Sequence, residues 1–459
     1  MNETDETADD LPVEVQLVQP REPGAEQPND ENVVAVAPPT KAVALPSPEE
    51  TGRYQLPNAM AGRQYRAVID LRALKIQEAA KLYETFNEQL AAVGLAAQPE
   101  EDAKELLGIG GTVLANTQGE HIFLLDYTYD KQRVFRKKIA LLVNPDPRSL
   151  WRNLEPDAAA PYPKAHLAST RLFSADYQIL AASRRGRSHA HEGTFRDDDF
   201  AVSVEDDGWH ILIVADGAGS AKFSRQGSRL ACRTAQQKLR AGIRELLQPK
   251  LPELLTAWQA EEEPQAVREI KTLLYQTLGG AAFAAYKSIE EEAAQQATPV
   301  KDYATTLLLS IARKSETGTF VAAFGIGDGG IGAYDATTGE ITLMNQPDGG
   351  EFSGQTRFLT MREVIGDGQD MLQRVKFALF PQLTTLVLMT DGISDAKFGT
   401  DKNLLAAAQW GEFWQDLTTS VNLRRDNAEA ETQLLEWMDF WLAGEHDDRT
   451  LALLVQTDG

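Results

Sequence analysis

Three short segments set an aspartate against a hydrophobic run: Ile211–Ser220 around Asp216, Leu386–Asp395 around Asp391, and Asp447–Val455. A fourth acidic run, Arg196-Asp-Asp-Asp-Phe200, joins them. A carboxylate at the end of a buried strand costs desolvation energy unless something positive sits beside it. Dispersed aspartates without a His-Cys pattern suit Mg²⁺ or Mn²⁺, which take oxygen ligands, rather than structural zinc. The glycines after Asp216 and Asp391 let the backbone turn sharply, so that a main-chain carbonyl also approaches a cation. Two such cations side by side would share a hydroxide and clamp a phosphoryl group during in-line attack.

Other signals carry less chemistry. Gly325-x-Gly327-x-x-Gly330 matches a dinucleotide fingerprint, but that motif needs a helix opening directly after it. The stretch that follows, Ile331–Leu343, reads instead as strand, turn and strand. A GxxxxGK[ST] phosphate loop is absent from the sequence, which argues against an NTPase. The six histidines form no helical zinc pair, and Cys232 reads as a packed thiol on a helix. Asp206-Asp-Gly208, Asp348-Gly-Gly350 and Gly366-Asp-Gly-Gln-Asp370 read as turns. Asp395 either caps a turn or joins the metal ligands.

The elements that position these residues follow from periodicity. Strands are expected at 178–183, 200–204, 209–215, 305–312, 319–324, 331–334, 340–345, 386–389 and 450–455. Helices are expected at 224–247, 266–296, 404–417 and 429–441. Hairpin-joined strands argue for antiparallel sheets, and the long amphipathic helices for an outer helical layer. Upstream, residues 61–155 read as a small α+β recognition or regulatory module. Ala79, Leu82, Phe86, Leu90 and Val93 follow helical spacing up to Gly94, and a hairpin follows over 122–127 and 134–143. Residues 1–60 are acidic and Pro-rich and are expected to be a disordered tail, because they cannot bury enough apolar surface to offset ordering. The third region spans 165–459.

Composition bounds the partners. The formal charge is −23, and residues 1–51, with 12 acidic and 2 basic side chains, contribute −10 of it. Nucleic acid and anionic membranes should repel such a surface. The sequence contains no apolar run long enough to span a membrane. A single cysteine and an acidic N-terminus without a secretory plan favour a reducing cytoplasm.

The ordered series of motifs resembles the metal-dependent Ser/Thr protein phosphatases, the type 2C or PPM family, in its bacterial form. Arg196-Asp-Asp-Asp-Phe200 stands where the family opens a strand with an acidic motif. Val214-Ala-Asp-Gly-Ala-Gly-Ser220 is like V-A-D-G-x-G-G, and Tyr303-Ala-Thr-Thr-Leu307 is like the G-T-T strand. Gly325-Ile-Gly-Asp-Gly-Gly330 is like V-G-D-S-R, Thr390-Asp-Gly-Ile-Ser-Asp395 like S-D-G-L-x-D, and Asp447-Asp-Arg-Thr450 like D-N-x-T.

The resemblance implies an α+β fold, a four-layer α/β/β/α sandwich of two antiparallel sheets flanked by helices. It implies Asp216 bridging two Mn²⁺ or Mg²⁺ ions, with Gly217 offering its carbonyl and Asp391 and Asp447 completing one ion. Asp216, Asp391 and Asp447 would thus carry catalysis. Asp198 would hold the second ion, shared with Asp197 or Asp199 if the acidic run slips by one residue. Asp302 would serve a third ion. The family's phosphate-gripping arginine would fall near Gly193, which leaves Arg196 and His191 as candidates. The histidine of animal members is Ala218, and Gly329-Gly330 replaces S-R, leaving Asp328 a structural part. The implied reaction is hydrolysis of phosphoserine or phosphothreonine on a protein by a metal-bridging hydroxide, within signalling opposite a cognate Ser/Thr kinase. The alternatives are a non-catalytic pseudophosphatase module that binds a phosphoprotein or kinase, and a small-molecule phosphatase.

Overall fold

The computed structural model describes residues 47–76, 79–81, 83–261, 264–348 and 356–457. The expected tail therefore lies outside the described residues as far as residue 46, as does Leu82 of the expected helix. The chain divides into two units after Pro145.

The first unit contains β1 (Glu49–Gln55), β2 (Ala59–Met60), β3 (Gln64–Asp70), β4 (Ala80–Lys81) and α1 (Tyr83–Ala91). Then come β5 (Leu95–Glu100), β6 (Ala103–Thr112), β7 (Gly119–Thr128) and β8 (Phe135–Asn144). The β7–β8 hairpin pairs with β1, β2 and β4, and a second sheet has the order β3-β6-β5. Phe86, Leu90 and Val93 from the α1 region are buried in this unit's core. Residues 47–60, expected to belong to the tail, instead supply two strands parallel to β8. Composition weighs side chains alone; here the backbone ladder and buried Leu56 and Ala59 offset the cost of ordering.

The second unit, from Asp146 onward, is entirely antiparallel in its sheets. Its strands are β9 (Leu167–Phe173), β10 (Tyr177–Arg184), β11 (Asp199–Val204), β12 (Trp209–Ala215), β13 (Leu307–Ser315) and β14 (Gly318–Ile326). The series continues with β15 (Gly330–Asp335), β16 (Glu340–Leu343), β17 (Lys376–Phe380), β18 (Thr385–Met389) and β19 (Arg449–Gln456). One sheet runs β16-β15-β18-β19-β10-β9 and the other β11-β12-β13-β14-β17. Helices α2 (Arg187–Glu192), α3 (Ser224–Gly242), α4 (Leu251–Glu261), α5 (Pro264–Leu274) and α6 (Gly280–Gln295) precede β13. After β16 come α7 (Arg362–Ile365), α8 (Gly368–Gln373), α9 (Asp391–Phe398), α10 (Ala407–Ser420) and α11 (Ala430–Trp437).

Three apolar layers make this a four-layer α/β/β/α sandwich. Ile179, Leu212, Val214, Leu308, Leu388 and Leu454 meet between the sheets. Ile211, Ile213, Leu309 and Phe324 face Cys232, Leu239 and Leu278 on one outer side. Leu180, Val387 and Leu453 face Trp410, Phe413 and Leu434 on the other. Strands covered on both faces read as continuous hydrophobic runs, and every residue of β12 is buried.

Within the second unit, edge strands β9 and β17 are the two that periodicity does not announce; in the first unit β3, β5 and β6 also lie outside the expected strands. The residues of β9 and β17 are mostly half-buried, so neither shows clear alternation. The expected helix 266–296 is two helices joined by a π-turn at Tyr275–Gly279, and 224–247 ends in a similar turn at Ile243–Leu247. No helix among the described residues is long and apolar enough to cross a membrane.

Candidate metal centre

Strand register gathers the aspartates. Asp199 pairs with Ala215, which brings the acidic run beside the end of β12 that carries Asp216. Gly330 and Leu451 both pair with Met389, which draws the β14–β15 turn, the end of β18 and the start of β19 together. Asp328, Asp391 and Asp447 therefore project from neighbouring strand ends. Carboxylate oxygens of Asp216, Asp328 and Asp391 lie within 4.8 Å of one another.

The supporting bonds fix backbone more than side chain. Thr306 Oγ1 accepts from the Asp216 N–H at 2.8 Å, while Thr305 Oγ1 donates to the Asp216 carbonyl at 2.7 Å. Asp198 is fully buried and takes hydroxyl donors from Thr390 at 2.8 Å and Thr450 at 2.7 Å, both on Oδ2. Asp448 accepts the N–H groups of Gly186 at 2.6 Å and Asp198 at 3.3 Å, and that of Asp197 as well. Gly217 and Gly392 are not at positive φ. They are needed for close approach: a Cβ would stand 2.7 Å from the Asp197 carbonyl and 1.9 Å from that of Asp448, respectively.

Electrostatically the cluster is unfinished. Burial, then the charges of Asp391 and Asp198, push the Asp216 carboxyl well above the carboxylate range. Burial and Asp447 do the same to Asp391. Burial and Asp448 raise Asp198 to about 7, and burial and Asp448 raise Asp447 too. Oδ1 atoms of Asp197, Asp198, Asp328 and Asp391 are buried without a hydrogen-bond partner. Mutually repelling carboxylates with orphaned oxygens are what hard cations satisfy, so the residues present fit divalent metal ions.

The remaining expected site residues are placed elsewhere. Asp302 sits in the turn Val300–Tyr303, where its carbonyl accepts from Phe223 N–H; its carboxylate does not join the convergent group. Asp328, read from sequence as structural, lies in that convergent group with Asp216 and Asp391. Its signal is the Asp of Gly325-Ile-Gly-Asp, masked by the departure of Gly329-Gly330 from the family pattern. Arg196 is turned inward: its Nε donates to the Ala165 carbonyl at 3.2 Å, its Nη1 is buried without a partner and the residue is 2% exposed. His191 accepts from the Arg152 N–H and packs against Trp151. Asp197 accepts from Ser224 Oγ at 2.8 Å and faces His189 Nε2 at 3.9 Å and Arg225 at 3.7 Å. Burial alone would lower the His189 imidazole, but Asp448 and Asp197 hold it up at about 9.

Buried Lys164, just ahead of the third region, donates to the Asp198 carbonyl at 2.9 Å and pairs with Asp199 at 3.1 Å. That ion pair leaves Asp199 engaged away from the cluster. Neither Lys164 nor Arg225 had a motif that could have found it; both matter only through tertiary placement.

The family model for protein phosphatase 2C matches residues 185–439, more than half of the chain, and the chain belongs to that family. Solved structures similar to it include the catalytic domain of the serine threonine protein phosphatase PstP in complex with two manganese ions. That one has 17% identity and a TM-score of 0.35, covering 62% of this chain and 99% of the other. RsbX in complex with magnesium has 13% identity and a TM-score of 0.32, covering 63% and 100%. The serine/threonine phosphatase Stp1 from Staphylococcus aureus has 13% identity and a TM-score of 0.34, covering 60% and 94%. No curated protein matches the chain in sequence.

Proposed function

We propose that this protein hydrolyses phosphoserine and phosphothreonine on protein substrates, using two or three Mn²⁺ or Mg²⁺ ions held by the carboxylate cluster. The observation that carries this reading is the convergence of Asp216, Asp328 and Asp391 within 4.8 Å, with buried oxygens left unpaired. In this reading Asp216 bridges, Asp391 and Asp447 complete one ion with the Gly217 carbonyl nearby, and Asp198 and Asp197 support the second. Asp328 takes the third-ion role that Asp302 was expected to fill. Bound divalent cations supply Lewis acidity, lowering the pKa of water and neutralising phosphoryl charge.

The chain's own groups do the positioning. Thr305 and Thr306 hold the Asp216 backbone, and Thr390 and Thr450 fix the Asp198 carboxylate from behind. Asp448 ties the turn at Gly186 to Asp197 and Asp198. Arg225, stacked over Phe195 and 3.7 Å from Asp197, is the cation best placed to meet a phosphoryl oxygen where Gly193 replaces the family's arginine.

The test is hydrolysis of p-nitrophenyl phosphate and phosphopeptides with Mn²⁺, with and without chelator. Metal-dependent turnover is expected, and phosphopeptides should be preferred over nucleotide and sugar phosphates. Gly193 also favours a second reading, a pseudophosphatase that binds a phosphoprotein or partner kinase without turnover. Phosphopeptide binding without Mn²⁺-dependent release of phosphate would select it.

A further inference from the structure

Beside the carboxylate cluster lies a cleft of opposite sign. Its volume is about 570 Å³, and Arg148, Arg152, Arg184, Arg185 and Arg187 line it with Asp439 as the one carboxylate among the lining residues. Five guanidinium groups against one aspartate leave four positive charges, in a chain whose formal charge is −23. Arg184 and Arg187 share Asp439, at 2.9 and 2.7 Å. Arg185 is engaged by neutral groups, the Asn153 side chain and the carbonyls of Leu154 and Thr194. Arg148 stacks over Trp441 at 5.4 Å. Among the described residues, Arg148, Arg152 and Arg185 have no carboxylate within ion-pair distance. Glu155 pairs with His166 at the rim, and Asp448 lies behind Gly186.

The cleft is built rather than incidental. Trp151 packs on His446 with ring centroids 4.2 Å apart, and Trp441 packs on the same imidazole at 4.9 Å, giving the arginines an aromatic backing. The wall shared with the metal centre is Gly186. It lines the cleft, its N–H donates to Asp448, and a Cβ there would lie 2.3 Å from the Asp447 carbonyl carbon. An anion in the cleft is therefore separated from the carboxylate cluster by a single turn of backbone.

We infer that this cleft binds a second phosphorylated residue of a peptide substrate, while the first lies at the carboxylate cluster. As a statement about substrate, this rests on the phosphatase reading above. Guanidinium groups present paired donors that match a phosphate dianion, and those of Arg148 and Arg152 are exposed with no acid among the described residues to satisfy them. A long polyanion such as nucleic acid meets the net charge of −23 of the whole chain, whereas a short phosphopeptide engages the arginines locally.

The experiment uses the full chain with saturating Mn²⁺, because the metal-free carboxylate cluster repels a phosphate. Binding is read without turnover, by calorimetry with a peptide carrying two non-hydrolysable phosphonate analogues of phosphoserine and its two singly substituted forms. The doubly substituted peptide should bind at least about tenfold more tightly than either single form. The charge reversal Arg148→Glu with Arg152→Glu, at two exposed side chains, should erase that advantage. Arg152→Gln alone should reduce it, and thermal melts of both variants should overlay the wild type. Equal binding of the three peptides, or an advantage that survives charge reversal, overturns the proposal. So does a single-stranded oligonucleotide that binds more tightly than the doubly substituted peptide. Hydrolysis of p-nitrophenyl phosphate with Mn²⁺ is scored separately. Turnover without the tenfold advantage removes the cleft and leaves the phosphatase reading. The advantage without turnover keeps the cleft as a phosphopeptide site and removes the reading of the cluster as catalytic.

Discussion

Two acidic groups flank the turn at Gly327-Asp328, and only one of them is neutralised. On one side Asp348 accepts two guanidinium donors from Arg374, at 2.6 and 2.9 Å, and Arg374 also binds Asp370 at 2.8 Å. Asp348 further accepts the Gly327 N–H at 3.0 Å. On the other side Asp328, Asp216 and Asp391 face one another, with buried oxygens of Asp328 and Asp391 unpaired and no cation among the described residues to match Arg374. Both places hold more than one aspartate, Asp348 and Asp370 around Arg374 against Asp216, Asp328 and Asp391 together. What separates a structural cluster from a metal centre is therefore uncompensated charge held at short range, not the number of aspartates.

That contrast can be broken at either side. The largest effect is expected from Asp216→Asn, which should lower Mn²⁺-dependent turnover by on the order of 10³-fold or more, since the charge stabilisation lost is several kcal/mol. Its metal-free melting temperature should not fall, because a repelled carboxylate has been removed. Arg374→Ala should do the reverse. It strands Asp348 and Asp370 and should cost about 3–5 kcal/mol of stability in denaturant titration, with activity falling only as the Asp328 turn loosens.

A pH titration sharpens the comparison next. Asp198 has a folded-state pKa of about 7, raised above its unfolded value by burial and Asp448. The folded state thus binds a proton that the unfolded chain does not between about pH 7 and pH 4. Metal-free stability should rise as pH falls through 7, by up to about 1.4 kcal/mol per pH unit for that one proton, and level off near pH 4. Saturating Mn²⁺ should reverse the trend, because cations compete with protons for the same carboxylates. The smallest effect belongs to Asp302→Asn, which should leave turnover within about twofold of wild type, whereas Asp328→Asn should weaken metal dependence measurably.

Much of this was legible before any coordinates. Asp216, Asp391 and Asp447 could be picked out because strands buried on both faces spell continuous hydrophobic runs, and a charge at the end of such a run stands out. The sandwich and its helical layers followed from the same periodicity and from the family resemblance. What escaped shares one physical cause, dependence on contacts distant in sequence. Edge strands β9 and β17 are half-buried and show little pattern. Residues 49–55 order by pairing with β8, some 85 residues away. Lys164 and Arg225 acquire significance only from the carboxylates folded against them. Asp328 was visible but was judged by its glycine neighbours rather than by the register that delivers it.

The central claim is that the unpaired carboxylates at the sheet ends hold the metal ions of a phosphatase. Calorimetric titration of the full chain with Mn²⁺ tests it most directly, alongside Asp216→Asn. The account predicts at least two ions per chain for the wild type, with the loss of at least one in the variant. A wild type that binds no Mn²⁺, or a variant with unchanged stoichiometry and affinity, would contradict it.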